Sequence, residues 1–321
     1  MHVFVRVNQG RMALLVVLIV IACATASAAT QAGRNLIGYC VGLKGLEAAK
    51  AAGFDYVELG VTEIAALSDA DFDAAVAHVK AVGIPTPNAN LFLPGTIRLT
   101  GPQPTDPDTE LAYVRKAFQR LSRLGVTIVC FGSGGARRVP DGFPQEQAFQ
   151  QLVTFGKRIA PEARAHGITI VIEPLRRQES NIINTAAEGL ALVNAIDDPN
   201  FQLLIDFYHL ASEHEDPAII LRAASHLRHL HMANPTGRVF PLQWDEYDYS
   251  AFFANLRAIG YAGRMSVEAS SKDLPAEAPR TIALLRRAFA GPLAALGLRA
   301  PDARLAGVPL AAAAGAGAAR P

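Results

Sequence analysis

A single-domain α/β protein built as an eight-stranded (β/α)8 barrel of the TIM type is the fold this sequence predicts. Three observations carry that prediction. Glycines 53, 83, 125, 167 and 260 each close a polar, alanine-rich stretch and precede an extended run, as in "AAGFDYVEL", "RLGVTIVCF" and "AHGITIVIE". Glycine adopts left-handed backbone cheaply just past a helix end, so each junction reads as helix, stop, strand. Eight extended runs can be counted, at roughly 35–42, 54–61, 86–93, 126–132, 168–174, 201–207, 227–233 and 264–269. Several are almost wholly apolar, as expected of strands covered on both faces. Alternation of strand and helix makes a parallel sheet, and eight units in about 260 residues is the size of one such barrel. The competing doubly wound sheet lacks its usual signal, a glycine-rich phosphate loop opening an early helix.

Ahead of the first strand lies a targeting pattern. "MHVFVRVNQGRM" carries two arginines, "ALLVVLIVIA" is a short apolar core, and "CATASAAT" is rich in small residues. That order is a secretory signal, and the core is short for a membrane span. Residues 1–29 are therefore expected to be a signal peptide cleaved near Ala28, exporting the protein to a bacterial periplasm or the exterior. "VIAC", ending at Cys23, also reads as a lipoprotein box, which would leave a lipid anchor on that cysteine. The barrel is expected over 33–291, with helices such as 107–124 and 144–165 between strands. Residues 292–321 form an Ala/Gly/Pro-rich tail expected to be disordered.

Composition narrows the function. With 30 Lys and Arg against 29 Asp and Glu, the chain lacks the basic footprint that nonspecific nucleic-acid binding leaves. If Cys23 departs with the signal, Cys40 and Cys130 remain, both in apolar runs where a thiol acts as a small buried hydrophobe. No cysteine pair has metal-ligand spacing, and a disulfide framework is not expected.

What remains is an oddity at four strand ends. "IVIEP" carries Glu173, "LLIDFYHLA" Asp206, "HLHMA" His231 and "MSVEA" Glu268 out of apolar runs. In this class of barrel the C-terminal strand ends hold the active site. Strand alternation puts Val171 with Glu173, Leu204 with Asp206, His229 with His231 and Ser266 with Glu268 on one face. Singly, such an acid reads as a helix cap or ion-pair partner, and His231 as a core histidine. On four successive strands they form a set, and packed carboxylates repel unless a cation neutralises them. Oxygen ligands plus one nitrogen suit a single divalent ion, Mn²⁺ or Mg²⁺, with Co²⁺ and Zn²⁺ also suited.

Over roughly residues 34–290 the sequence resembles the xylose-isomerase-like TIM-barrel superfamily. "IEPLRRQE", "IDFYH", "HLHMAN" and "SVEAS" fall in that family's order and strand positions. The superfamily includes sugar-phosphate isomerases and epimerases, ketose 3-epimerases, hydroxypyruvate isomerase and apurinic endonucleases. The resemblance implies that Glu173, Asp206, His231 and Glu268 hold the metal, with Mn²⁺ the first expectation. It also implies substrate contacts for Glu179, six residues after Glu173, and His209, three after Asp206. Residues 206 and 209 would face oppositely along a strand, so His209 is expected where strand has become loop. The epimerases place an arginine six residues after the metal histidine, but position 237 here is glycine. Arg238 stands one step late in "NPTGRVFP", where it reads as that same guanidinium after a loop shift or as a plain surface arginine. Glu58 in "YVELG" is a further candidate, lining the pocket or pairing with a neighbouring cation. Trp244 reads as a sugar-stacking ring or as rim packing.

The expected function is a metal-dependent sugar isomerase or epimerase acting on a ketose or related keto-sugar. A divalent ion on a ketose's carbonyl and adjacent hydroxyl acidifies the intervening C–H and stabilises an enediolate. Glu173 and Glu268, on strands across the site, are the expected acid/base pair, each proton transfer contributing about 10² to 10⁴ in rate. Transfer on opposite faces of one carbon epimerises; transfer by one base between carbons isomerises. A lyase acting on an inosose- or dehydroshikimate-like cyclitol could use the same constellation. An apurinic endonuclease would need histidines in "NANLF" and "CFGSGG", where there are none. A sugar-binding protein without chemistry would not need the second glutamate.

Overall fold

The computed structural model describes residues 35–291, so the expected signal peptide, the Cys23 anchor and the tail from 292 lie outside the described residues. Eight parallel strands close into a barrel in chain order: β1 (Ile37–Cys40), β2 (Tyr56–Gly60), β3 (Asn88–Asn90), β4 (Ile128–Phe131), β5 (Thr169–Ile172), β6 (Phe201–Asp206), β7 (Leu227–Met232) and β8 (Arg264–Val267). Closure runs from Ile37–Tyr39 of β1 to Met265–Val267 of β8. The expected glycine junctions all have positive φ, between 63° and 90°. β3 is shorter than its apolar run suggested. Pro85 and Pro87 carry no N–H to extend the ladder, and Leu91 turns left-handed at φ 52°.

Around the barrel run helices α1 (Leu46–Ala51), α2 (Val61–Ala66), α3 (Asp69–Val82), α4 (Pro107–Arg123), α5 (Gly134–Arg137), α6 (Gln145–Ala165), α7 (Ala186–Ile196), α8 (Phe207–Ser212), α9 (Ile219–Ala223), α10 (Ser250–Ala258) and α11 (Leu274–Ala290). Their starts follow capping chemistry. Ser68 and Asp106 accept N–H groups opening α3 and α4, and Thr185 with Glu188 forms a capping box on α7. Among the described residues no helix is long and apolar enough to cross a membrane.

Strand alternation separates two environments. Outward residues such as Val57, Ile170, Ile172, Ile205, Leu230 and Val267 join the apolar layer under the helices. Inward, only a small apolar plug forms, of Cys130, Val171 and Leu204 against Ile128. The rest of the interior is polar. Tyr56, Glu58, Asn88, His229, His231 and Ser266 are all fully buried there, where such barrels usually stack branched aliphatics. Gly38 makes this interior feasible. A Cβ on it would collide with the Tyr56 ring, which crosses the barrel to bring its hydroxyl 2.9 Å from Ser266 Oγ. The fold thus has an ionisable floor directly beneath the strand ends.

Candidate active site

β6 ends on Asp206, β7 carries His231 near its end, and Glu173 and Glu268 are the first residues beyond β5 and β8. One ligand atom from each of these four lies within 4.8 Å of the others. His231 Nδ1 is 2.9 Å from Glu173 Oε1 and 3.4 Å from Glu268 Oε2. Asp206 Oδ1 accepts the Tyr208 N–H at 2.9 Å and so caps α8. Its Oδ2 is buried without a hydrogen-bond partner. The four strand-end residues therefore share one pocket floor.

Their electrostatics show what the cluster lacks. Burial, together with the Glu173 carboxylate, pushes Asp206 up to about 7. Glu173 is also raised, by burial first and then by Glu268, against the pull of His231. Glu268 is only half-buried, and although desolvation pushes it up, His231 and Arg238 hold it down at about 2. His231 resists its own desolvation and stays protonated well above the ordinary imidazole range, because Glu58, Glu173 and Glu268 surround it. Protons and an arginine thus neutralise an excess of acceptors. Three carboxylates, one imidazole and an orphaned Asp206 oxygen fit a divalent cation, Mn²⁺ or Mg²⁺ before softer ions.

A second group rings the mouth. His209 lies on α8, not in a loop: the strand ends at Asp206, and the helix begins with the next residue because Asp206 itself caps it. One turn then brings His209 back over the site, its Nε2 3.6 Å from Asp206 Oδ2 and 4.0 Å from Glu179 Oε2. Its Nδ1 accepts the Arg176 N–H at 3.2 Å. Burial and Arg238 lower its pKa to about 3, so the ring is neutral and Nε2 carries an unpaired N–H. Glu179 is held by Arg176 Nε at 2.7 Å.

Arg238 reaches the site despite its shifted position. Gly237 and Arg238 both adopt positive φ, 85° and 52°, and Val239 bridges to Asn234 and Ser270. The loop thereby turns the guanidinium inward, 2.7 Å from Glu268 Oε2 and 3.4 Å from Glu179 Oε1. Glu58 does not line the pocket. It is fully buried in β2 beneath His231, bonded to both His229 and His231, which is the cation-pairing alternative. Trp244 packs on Tyr249 and Phe253 and is buried away from the mouth. Of the two cysteines among the described residues, Cys130 is buried, whereas Cys40 is half-buried and lines the cavity.

Two contributors escape a reading of the sequence. Asn90 Nδ2 donates to Glu268 Oε1 at 3.0 Å, and the available signal was a polar residue at the C-terminal end of the third strand, in "NAN". The Tyr208 ring lies 4.6 Å from the Arg238 guanidinium and 5.0 Å from that of Arg176. Nothing in its spacing marks that role. The cavity above, about 560 Å³, runs from Glu268, Arg238 and Asn90 to Cys40, Glu63 and Leu91.

Gly132, after β4, keeps room for the Glu173 side chain: a Cβ there would stand 2.5 Å from Glu173 Oε2. Its backbone suits alanine, so Gly132→Ala should fold normally but displace that carboxylate. A displacement of that size costs up to about 10² in turnover. Far-ultraviolet dichroism beside steady-state rates would check this; full activity would show the carboxylate is free to sit elsewhere.

Comparison with known proteins agrees with this geometry. An L-ribulose 3-epimerase of Methylomonas sp. is 29% identical over 240 residues, 72% of this chain and 79% of that protein. One from Mesorhizobium japonicum is 27% identical over 234 residues, 70% and 73% of the two chains. A crystal structure of D-allulose 3-epimerase from Methylomonas sp. superposes with a TM-score of 0.69 at 25% identity, covering 80% of this chain and 98% of that one. The profile of the family described as a xylose isomerase-like TIM barrel matches residues 46–288, most of the chain, which therefore belongs to that family.

Proposed function

We propose that the protein is an isomerase, a divalent-metal-dependent sugar epimerase acting on a ketose or related keto-sugar, with Glu173 and Glu268 as its acid/base pair. One observation carries the reading: both glutamates converge on the Nδ1 side of His231 from two separate strands, β5 and β8, on either side of β6 and β7. The relatives named as ketose 3-epimerases support the substrate class.

Glu173, Asp206, His231 and Glu268 would hold the ion, Mn²⁺ first, and bound there it would polarise a ketose carbonyl and its neighbouring hydroxyl. Glu268, held ionised by His231 and Arg238 and aligned by Asn90, is suited to take the proton from the carbon between them. Glu173, its proton affinity raised by burial, is suited to return one to the opposite face, and the two exchange roles when the reaction runs from the other epimer. The neutral His209 offers its free Nε2–H to a substrate hydroxyl, and Glu179 accepts one. Arg238 and Tyr208 close that side of the site. We also propose that the protein works after export, on sugars met outside the cytoplasm, as the N-terminal pattern suggests.

The test is solvent deuterium uptake. The protein is stripped of metal, reconstituted with Mn²⁺ and incubated in D₂O with free ketoses, inososes and a 3-keto-glycoside, then read by NMR. Metal-dependent label at the epimerised carbon is the expected result. Label at C1 or C2 with an aldose product would replace epimerisation by isomerisation, and label followed by loss of water would make the protein a lyase. No exchange on any compound, with the ion demonstrably bound, would end the reading.

A further inference from the structure

Two donor clusters share His231. The upper one presents its Nδ1 to Glu173, Asp206 and Glu268; the lower presents its Nε2 to Glu58, beside Cys130 and His229. They differ in one decisive respect. Above, His231 Nδ1 meets Glu173 Oε1 at 2.9 Å and Asn90 and Arg238 donate to Glu268, but Asp206 Oδ2 is left without a partner. Below, every contact pairs a donor with an acceptor. Glu58 Oε1 receives His231 Nε2 at 3.0 Å and the Cys130 thiol at 2.9 Å. Its Oε2 receives His229 Nε2 at 2.9 Å and Ser266 Oγ at 2.5 Å. A carboxylate has about four lone-pair sites, and all of those on Glu58 are filled. The Glu58 carboxylate is thus satisfied by the chain's own hydrogens, leaving His229 Nδ1 on the far side of its ring unpartnered, whereas above it is a carboxylate oxygen of Asp206 that is unpartnered.

We propose that Glu58 is a positioning residue for the metal site: it fixes His231 in the tautomer protonated on Nε2, so that Nδ1 faces the ion. The proposal rests on the metal-site reading above. Its geometry is built in from three strands. Glu58 points inward from β2, in register with Asn88 and Cys40. His229, two residues before His231 on β7, shares its face and holds the second oxygen, so the carboxylate cannot swing away. Ser266, paired with His231 across β7 and β8, completes the set and is braced by Tyr56. Metal-ligating histidines commonly donate their remote N–H to a carboxylate, and losing such a partner weakens metal binding by about 10- to 100-fold. Glu58 also sets a fixed negative charge one imidazole ring below the cation.

The experiment uses the full chain, freed of metal and titrated with Mn²⁺ by calorimetry. The wild type should bind one ion, and Glu58→Gln, which keeps the shape without the charge, should bind it about 10- to 100-fold more weakly, with a cooperative melt showing that it folds. A direct readout needs no variant: in the Mg²⁺-loaded wild type, nitrogen–proton correlation NMR should show His231 protonated on Nε2 alone. Equal affinity in Glu58→Gln, or a proton on Nδ1, would overturn the proposal. Two ions per chain, with a thiolate-to-metal absorption band in the Co²⁺ form that Cys130→Ser removes, would overturn it differently, making the lower cluster a metal site itself. No ion bound by the wild type would instead defeat the upper-site reading.

Discussion

Glu173→Gln is expected to lower turnover by about 10² to 10⁴ and to block deuterium exchange into the substrate when the proton removed is the one Glu173 takes. Glu268→Gln should do the same for the opposite epimer. Each glutamine keeps the size of the side chain and one carbonyl oxygen, so at saturating metal the loss of the proton-transfer role dominates. The pair is separable because the environments differ. Burial raises Glu173, while His231 and Arg238 hold Glu268 low, at about 2. Isotope exchange measured from both epimers would distinguish them; two variants that lose both directions of exchange equally would argue that the glutamates only bind metal.

Asp206→Asn should have two large effects of opposite sign. Metal affinity should fall by about 100-fold or more, on the order of 3 kcal/mol, because an anionic ligand is lost. The metal-free protein should become more stable at neutral and alkaline pH. In the wild type, burial and Glu173 push Asp206 up to about 7. The folded chain therefore keeps a proton that the unfolded chain releases near pH 4, and stability falls as pH rises from about 4 to about 7. The amide of the variant does not titrate, so that loss should vanish, a gain of roughly 2–4 kcal/mol at pH 8 and little at pH 4. The cap on α8 survives, since an amide oxygen can still accept the Tyr208 N–H. Urea denaturation of both metal-free proteins at the two pH values checks this, and a variant less stable at pH 8 would refute the repulsion argument.

Most of the architecture was legible because periodicity is local. Glycines after helices and apolar runs between them mark eight strands without knowledge of tertiary contacts. The four strand-end residues were legible only as a set: each alone reads as a helix cap, an ion-pair partner or a core histidine, and their recurrence on four successive strands is what marks a site. Long-range geometry was not legible. Alternation tells inward from outward but not upper layer from lower, so it leaves Glu58 undecided between the cavity and a cation beneath it. Spacing alone puts His209 in a loop; only the capping role of Asp206 places it on a helix. Arg238 is placed by a loop whose two left-handed residues turn it inward, and Asn90 by the short β3.

The closed hydrogen-bond set around Glu58 separates folding from loading. Every acceptor on Glu58 is satisfied by the chain itself, without recourse to an ion. Apo-protein should accordingly assemble with its receptacle already shaped, and be charged afterwards. On the proposed metal-site reading, the identity of the ion would then depend on which cations surround the finished molecule as well as on its donors. A chain that matures in one compartment and is metallated in another could carry different ions without any change in sequence.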